Sequence, residues 1–134
     1  MYMLIAVFNQ YDLKNVLEDL FQNNIEGVTV SDVIGKGSFG LKEADNQPTD
    51  LVGKVKVEIV ISNEKIRETA MECIRSNCQD LGRGAGKMWW IDVGGVERIR
   101  TGELNEDALT TQIDKKVLNN MPTMVTTAID TPCS

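Results

Sequence analysis

Two arginines, Arg98 and Arg100, lie one residue apart in the segment ERIRTGE of a chain whose net charge is −6. On an extended segment, side chains at this spacing point to one face about 7 Å apart. Guanidinium groups bind phosphate oxygens in pairs, so the spacing suits two adjacent phosphoryl groups. The same pair between Glu97 and Glu103 is also typical of a solvated ion-pair cluster, and both interpretations stay open at this point.

A glycine-rich stretch, LGRGAGK at residues 81–87, carries a second set of groups that suit an anion. Its glycines permit positive φ angles and a close approach of an anion to the main chain. Successive backbone N–H groups form an anion-binding nest, and Lys87 adds a positive charge at its edge. Glycine-rich loops are more often simple turns, and this stretch has neither GxGxxG nor the Walker pattern.

Composition excludes several classes of function. The net charge of −6 argues against general nucleic-acid binding, which needs clustered Lys and Arg. The chain has no histidine, which excludes imidazole general-base chemistry and histidine zinc sites. The apolar runs are strand-sized and the first residues do not resemble a secretory signal, so we expect a cytoplasmic protein. The cysteines, Cys73, Cys78 and Cys133, are expected to be reduced and structural.

Hydrophobic periodicity predicts six elements before residue 94. We expect strands at 3–8, 27–35, 54–62 and 88–93, a helix from Asp12 to Asn23, and a helix from about Asn63. Asp12 is the expected N-cap of the first helix, and Ser62 or Asn63 that of the second. One of Trp89 and Trp90 is expected to lie in the core, because neighbouring side chains on a strand face opposite ways.

This order of elements is two βαβ halves in tandem, which predicts a ferredoxin-like α+β sandwich. Helices would cover one face of a four-stranded antiparallel sheet, and the uncovered face favours oligomerisation. The stretch from Lys36 to Gly53 is expected to be a long exposed loop after the second strand, of the kind that is usually functional or disordered. Residues 1–110 are predicted to form one domain and residues 111–134 a C-terminal tail.

Four segments resemble the PII signal-transduction proteins of nitrogen regulation. They are EGVTVSDVIGKG, KVKVEIVI, GRGAGKMWWIDV and RIRTGE, and the resemblance runs from about Met3 to Leu109. It implies a homotrimer of ferredoxin-like subunits with adenine nucleotides in the three clefts between neighbours. It also implies that a long loop, residues 36–54, inserts into a partner protein.

The resemblance also implies a set of nucleotide-binding residues. Phosphates would be held by Arg98, Arg100 and Lys87, by the amides of Gly84, Ala85 and Gly86, and from the base of the loop by Gly35, Lys36, Gly37 and Ser38. The adenine and ribose region would be lined by Thr29, Glu58 and Val60. No catalytic residue and no protein metal ligand is expected.

Departures from the family pattern concern the second effector. The family motif GFGRQ reads GKGSF here, so Phe39 replaces the glutamine that helps to hold Mg and 2-oxoglutarate. Lys54 matches the lysine that pairs with the oxoacid, and no tyrosine between Lys36 and Lys54 is present for uridylylation. We therefore expect binding of ATP and ADP without 2-oxoglutarate sensing, with AMP and Mg left open.

The predicted function is an energy-sensing regulator that controls a transporter or a metabolic enzyme through its long loop. One alternative is a PII-like protein of the carbon-uptake or carboxysome type, which binds AMP or cyclic AMP. Another is a weak ATPase, although the candidate acids Glu43, Asp45 and Asp50 all lie in the loop. A structural trimer resembling metal-tolerance relatives, without nucleotide, is a third. We do not expect an enzyme.

Overall fold

The computed structural model describes residues 1–36, 51–79 and 85–110 of the 134-residue chain, which divides into two units, residues 1–94 and residues 95–134. The predictions for Gly37, Ser38, Phe39 and Gly84, for most of the loop and for the tail lie outside the described residues. The division expected at residue 110 stays a prediction.

The described residues of the first unit form four strands and two long helices. In chain order they are β1 (Tyr2–Asn9), a single 3-10 turn (Gln10–Asp12), α1 (Leu13–Gln22), β2 (Val28–Lys36), β3 (Leu51–Ile61), α2 (Glu64–Asn77) and β4 (Gly86–Asp92). The second unit contains α3 (Glu106–Leu109). Among the described residues, no helix is long and apolar enough to cross a membrane.

The sheet has the strand order β2-β3-β1-β4, and each neighbouring pair is antiparallel. The helix α1 connects the parallel strands β1 and β2, which are separated by β3, and α2 connects the parallel strands β3 and β4, which are separated by β1. This is the split βαβ arrangement. The predicted ferredoxin-like α+β fold is therefore confirmed. The central strands β1 and β3 are held on both sides, whereas β4 lies at one end of this order.

One face of the sheet packs on α1 and α2 and forms the core. Val55, Val57, Ile59 and Ile61 share one face of β3, as the sequence pattern predicts, and this face is the one buried under the helices. The other core residues are Leu4, Ala6, Phe8, Val16, Leu20, Ile25, Ala70, Met71, Cys73 and Ile74. The opposite face, called the second face below, carries the alternate residues of each strand, and neither α1 nor α2 covers it.

Helix starts show how local chemistry fixes the elements. Asn63 caps α2, since its Oδ1 accepts a hydrogen bond from the amide of Ile66 at 2.9 Å. Asp12 precedes α1 as expected, but its side chain makes no capping bond there, because the preceding 3-10 turn already has helical geometry at this residue.

The strand boundaries correct the predicted loop. Lys36 belongs to β2, and residues 51–53 belong to β3, so both ends of the predicted loop are strand. The reason is pairing: Gly35 lies opposite Val52 and Lys36 opposite Leu51, which extends the two strands as a ribbon.

Candidate functional site

The residues predicted to line the adenine and ribose region share one face of the sheet. Thr29 lies opposite Glu58 in the β2–β3 ladder, and Val60 follows Glu58 by two residues on β3. Residues that lie opposite each other in an antiparallel pair have side chains on the same face. These three residues are therefore on the second face, away from the core.

The two described residues at the base of the loop point to different faces. Gly35 pairs with Val52 and belongs to the second face. Lys36 pairs with Leu51 and belongs to the other face, which is the one that carries the core residues of β3. Lys36 is exposed and lies on the side away from Thr29 and Glu58.

The start of β4 requires a glycine. Gly86 has a φ of +123°, and a Cβ built there would lie 2.3 Å from the carbonyl oxygen of Val7 and 2.9 Å from Cα of Phe8. The positive φ that the sequence predicts in this stretch is thus present at Gly86, where it serves the close approach to β1. Lys87 follows on the second face, opposite Val7, and is exposed.

Thr29 and Lys87 lie on strands at opposite ends of the order, with β3 and β1 between β2 and β4. Three strand spacings amount to about 14 Å across the sheet. Within the first unit, the predicted nucleoside-binding side and the predicted lysine ligand are therefore far apart.

The arginine segment forms a tight turn, which corrects the expectation of an extended segment. The amide of Gly102 donates to the carbonyl of Arg98 at 2.7 Å, and the amide of Arg98 donates to the carbonyl of Glu103 at 2.9 Å. Gly102 has a φ of +78°, a conformation that favours glycine. Because the chain turns between residues 98 and 102, the two arginines do not present their side chains by strand alternation.

The Arg98 guanidinium is engaged within the second unit. Its Nε donates to Oε1 of Glu103 at 2.8 Å, and its Nη2 donates to the carbonyl oxygens of Asp107 at 3.3 Å and Thr110 at 2.5 Å. Thr101 donates to the same Glu103 oxygen at 3.1 Å. Arg100, in the middle of the turn, is exposed. The two arginines therefore differ in their surroundings, which the sequence did not predict.

Lys54, the residue that matches the oxoacid lysine, is bonded inside the chain. Its Nζ donates to Oδ1 of Asn9 at 2.6 Å, and the side-chain Nδ2 of Asn9 donates to the hydroxyl of Tyr11 at 3.2 Å. Asn9 lies opposite Lys54 on the second face. An incoming carboxylate would have to compete with this bond.

Arg67 is a buried cation that the sequence interpretation missed. Arg67 is only 7% exposed, and its guanidinium lies over two rings, 4.7 Å from the centroid of Tyr2 and 4.3 Å from that of Trp90. Trp89 and Trp90 face opposite sides as expected, but both are 42% exposed, so neither is a core residue. The sequence did offer a signal for this buried cation, because Arg67 lies three residues before Ala70 on the buried side of α2.

A pocket of about 180 Å³ lies between the end of α2 and the start of β4. Cys78, Gln79, Ala85 and Lys87 are among its lining residues. Burial and the nearby charge of Asp12 raise the pKa of the Cys78 thiol to about 11, and a hydrogen bond with Asp12 acts in the same direction. Burial, followed by the charge of Asp19, also raises the pKa of Cys73.

No group of three or more Cys, Asp or Glu side chains in the described part of the chain is placed to hold a metal ion. The described candidate phosphate ligands are cations and amides, and this donor set suits an anion rather than a metal.

Known proteins resemble this chain over most of its length. The sequence model of the family described as "Nitrogen regulatory protein P-II" matches residues 1–103. The nitrogen regulatory protein P-II of Pasteurella multocida is 38% identical over 108 residues, which cover 78% of this chain and 96% of that protein. The nitrogen regulatory protein P-II 1 of Methanothermobacter thermautotrophicus is 37% identical over 110 residues, 79% of this chain and 95% of that protein.

A solved structure agrees with these relatives. The crystal structure of Arabidopsis thaliana PII bound to citrate matches with a TM-score of 0.67 and 32% identity, covering 80% of this chain and 90% of that one. The family match includes the strands, both long helices and the arginine turn through Glu103. The chain belongs to the nitrogen regulatory protein P-II family.

Proposed function

We propose that this protein is a signal-transduction protein that binds ATP or ADP and regulates a partner according to the energy state of the cell. The observation that carries the proposal is the arginine turn: the family match reaches residue 103, and Arg98 and Arg100 lie within one tight turn closed by Gly102. Guanidinium groups are the side chains best suited to bind phosphate oxygens.

The proposed phosphate ligands are the arginines and the start of β4, with the base of the loop. The set is Arg98, Arg100, Lys87, the amides of Gly84, Ala85 and Gly86, and Gly35, Lys36, Gly37 and Ser38. The exposed positions of Arg100, Lys36 and Lys87 support this assignment.

The proposed nucleoside ligands are Thr29, Glu58 and Val60. A hydroxyl, a carboxylate and an apolar side chain on one face of two paired strands can supply hydrogen bonds and packing to a ribose and a base. Their common position on the second face supports the assignment.

We propose a homotrimer with nucleotide in the clefts between protomers. The separation of about 14 Å across the sheet between the strand of Thr29 and that of Lys87 supports this arrangement. A neighbouring protomer would supply its own β4 edge beside the β2–β3 side, and the second face would be covered in the assembly.

We propose that 2-oxoglutarate is not an effector of this protein. Phe39 carries no oxygen ligand for Mg, and the Lys54 ammonium is bonded to Asn9 at 2.6 Å. Titration of 2-oxoglutarate into the ATP-loaded protein with Mg is expected to give no measurable heat. Tight binding would contradict this part of the proposal.

The proposed output is a cytoplasmic interaction between residues 36–54 and a transporter or a metabolic enzyme. ATP and ADP can bias this interaction only through different affinities for the two forms of the protein. We propose nucleotide sensing rather than catalysis, so bound ATP should not be turned over rapidly.

Calorimetry with ATP, ADP, AMP and cyclic AMP tests the proposed function. The double variant Arg98→Ala and Arg100→Ala should lose ATP and ADP binding while its mass in solution stays that of the wild-type trimer. Lys65→Ala, which removes an exposed cation from α2, is the matched control and should bind normally. Absence of ATP and ADP binding to the wild type, or a monomeric mass, would overturn the proposal.

A further inference from the structure

The Arg98 side chain joins the arginine turn to the end of α3. Its Nη2 bonds to the carbonyls of Asp107 and Thr110, which come from the last turn of α3 and the residue after it. Unpaired carbonyls at a helix end are stabilised by such a cation. The Arg98–Glu103 pair, with both side chains less than a quarter exposed, keeps the guanidinium in this position.

These contacts use two of the three nitrogens of the Arg98 guanidinium. A guanidinium has five N–H groups, one on Nε and two on each terminal nitrogen. Three are engaged: the Nε donor with Glu103, and the two Nη2 donors with the carbonyls of Asp107 and Thr110. The two donors of Nη1 are outside these three bonds.

A phosphate that binds in the two-bond mode needs Nη2. The two edges of a guanidinium that make parallel bonds to an oxyanion are Nε with Nη2 and Nη1 with Nη2. Both edges of Arg98 include the nitrogen that holds the carbonyls of Asp107 and Thr110. Paired binding of a phosphate therefore removes at least one of these two carbonyl bonds.

We propose that Arg98 is a switch residue, at which polyphosphate and the end of α3 compete for Nη2, so that bound nucleotide releases residues 106–110. This inference rests on the proposed nucleotide binding and names how that site regulates the chain. Arg100 would bind phosphate without this exchange, because the α3 carbonyls are held by Arg98.

The other described bonds of residues 106–110 run within a few residues of the chain. α3 has four residues, far below the length at which an isolated helix is stable. Besides its internal helix bonds, the amide of Asp107 donates to the carbonyl of Leu104, the amide of Ala108 donates to that of Asn105, and the hydroxyl of Thr110 donates to that of Glu106 at 3.1 Å. Asn105 has a φ of +52°, which is unfavourable for a residue with a side chain. Loss of the Arg98 bonds should therefore loosen this turn.

Hydrogen–deuterium exchange of the full-length protein tests the release. At saturating ATP, exchange of the Asp107 and Ala108 amides should become about fivefold faster or more, the lower end of typical coupling between sites. Amides in the β1–β3 ladder should keep their rates. Unchanged or slower exchange of Asp107 and Ala108 in protein shown by calorimetry to hold ATP would overturn the switch and leave the proposed function standing.

Reciprocity supplies a second test. Ala108→Pro removes the amide that bonds to Asn105 and blocks the helical turn, so α3 no longer competes for Arg98. ATP should then bind about fivefold more tightly or better, since coupling acts equally in both directions. Ala108→Ser keeps the amide and should bind ATP as the wild type does. Unchanged or weaker ATP binding to Ala108→Pro would contradict the proposed competition between ATP and α3 for Arg98.

Two arginine variants separate the roles of the pair. Arg98→Lys keeps the charge but cannot bridge Glu103 and both carbonyls, so Asp107 and Ala108 should exchange fast with and without ATP. Arg100→Ala should bind ATP more weakly yet keep the wild-type exchange rate of these amides in the absence of nucleotide. Slow exchange in nucleotide-free Arg98→Lys would show that Arg98 does not hold α3. If wild-type protein binds no ATP, both this inference and the proposed function fail.

Discussion

The two segments that carry the proposed phosphate-binding cations are held in different ways. At the start of β4, Gly86 and Lys87 are paired with β1, opposite Phe8 and Val7. In the turn of residues 98–102, the chain is closed by two backbone bonds and by the side chains of Arg98, Thr101 and Glu103. The first segment is part of a ladder next to the core, and the second is held by contacts within a few residues.

This difference determines which segment can respond to a ligand. Moving Lys87 would disrupt a strand that pairs with β1 over seven residue positions. Moving Arg98 exchanges a few hydrogen bonds, each worth about 1 kcal/mol, and a phosphate can replace them. If both cations bind phosphate as proposed, the fixed Lys87 would set the position of the anion, and the adjustable Arg98 would report its presence.

The largest predicted effect is at Gly86 and tests whether the β4 start is as fixed as this comparison requires. In Gly86→Ala, the new Cβ would overlap the Val7 carbonyl and the backbone would keep its φ of +123°. Overpacking and backbone strain cost about 1–3 kcal/mol each, so unfolding free energy should fall by about 4 kcal/mol. Urea denaturation measures this loss.

Two other glycines separate the contributions. Gly102 has a φ of +78°, but a Cβ added there would meet no heavy atom within 4 Å. Gly102→Ala should therefore show the strain without the overlap, a loss of about 1 kcal/mol. Gly94 has neither feature, and Gly94→Ala should be nearly neutral. If Gly86→Ala were no worse than Gly102→Ala, the β4 start would be adaptable and the comparison would fail.

The next largest effect concerns the contact between α2 and β4 that Arg67 makes with Trp90. The Arg67 guanidinium lies 4.3 Å from the Trp90 ring centroid and is shielded from solvent. A double-mutant cycle with Arg67→Met and Trp90→Leu should give a coupling energy of about 1.5 kcal/mol, as for a largely desolvated cation–π pair. Unfolding in urea of the two single variants and the double variant measures it.

Trp89 supplies the matched control for this cycle. It is as exposed as Trp90 but lies on the second face. Trp89→Leu combined with Arg67→Met should show additive changes in stability. Equal coupling to both tryptophans would mean that Arg67 acts on the strand as a whole rather than through its ring contact.

Patterns within one element predicted the fold well. The alternation at Val55, Val57, Ile59 and Ile61 identified β3 and the residues that share one of its faces, and Asn63 was one of the two caps expected for α2. These features depend on neighbours along the chain. Residues 51–53 were expected to be loop because their strand conformation depends on pairing with β2, which local sequence does not reveal.

The candidate site was predictable in composition but not in geometry. The arginines and the glycine of β4 were found from their residue types, whereas the turn at Arg98 depends on Gly102 and Glu103 acting together. Arg67 was missed because its ring partners, Tyr2 and Trp90, come from two strands distant in sequence. Interactions between distant residues decide which cations are accessible and which are already engaged.

The smallest effect tests how closed the pocket beside the β4 start is. Because the folded pKa of Cys78 is raised from 9.0 to about 11, the thiol favours the folded state below pH 9, and this contribution is lost as the pH rises towards 11. In a variant with Cys73→Ser and Cys133→Ser, iodoacetamide should alkylate Cys78 with a pH profile that inflects near 11. Urea-unfolded protein is the control and should inflect near the ordinary value for a thiol. An inflection of the folded protein near pH 9 would mean that the pocket admits water freely, and that the start of β4 is less shielded than its glycine contact implies.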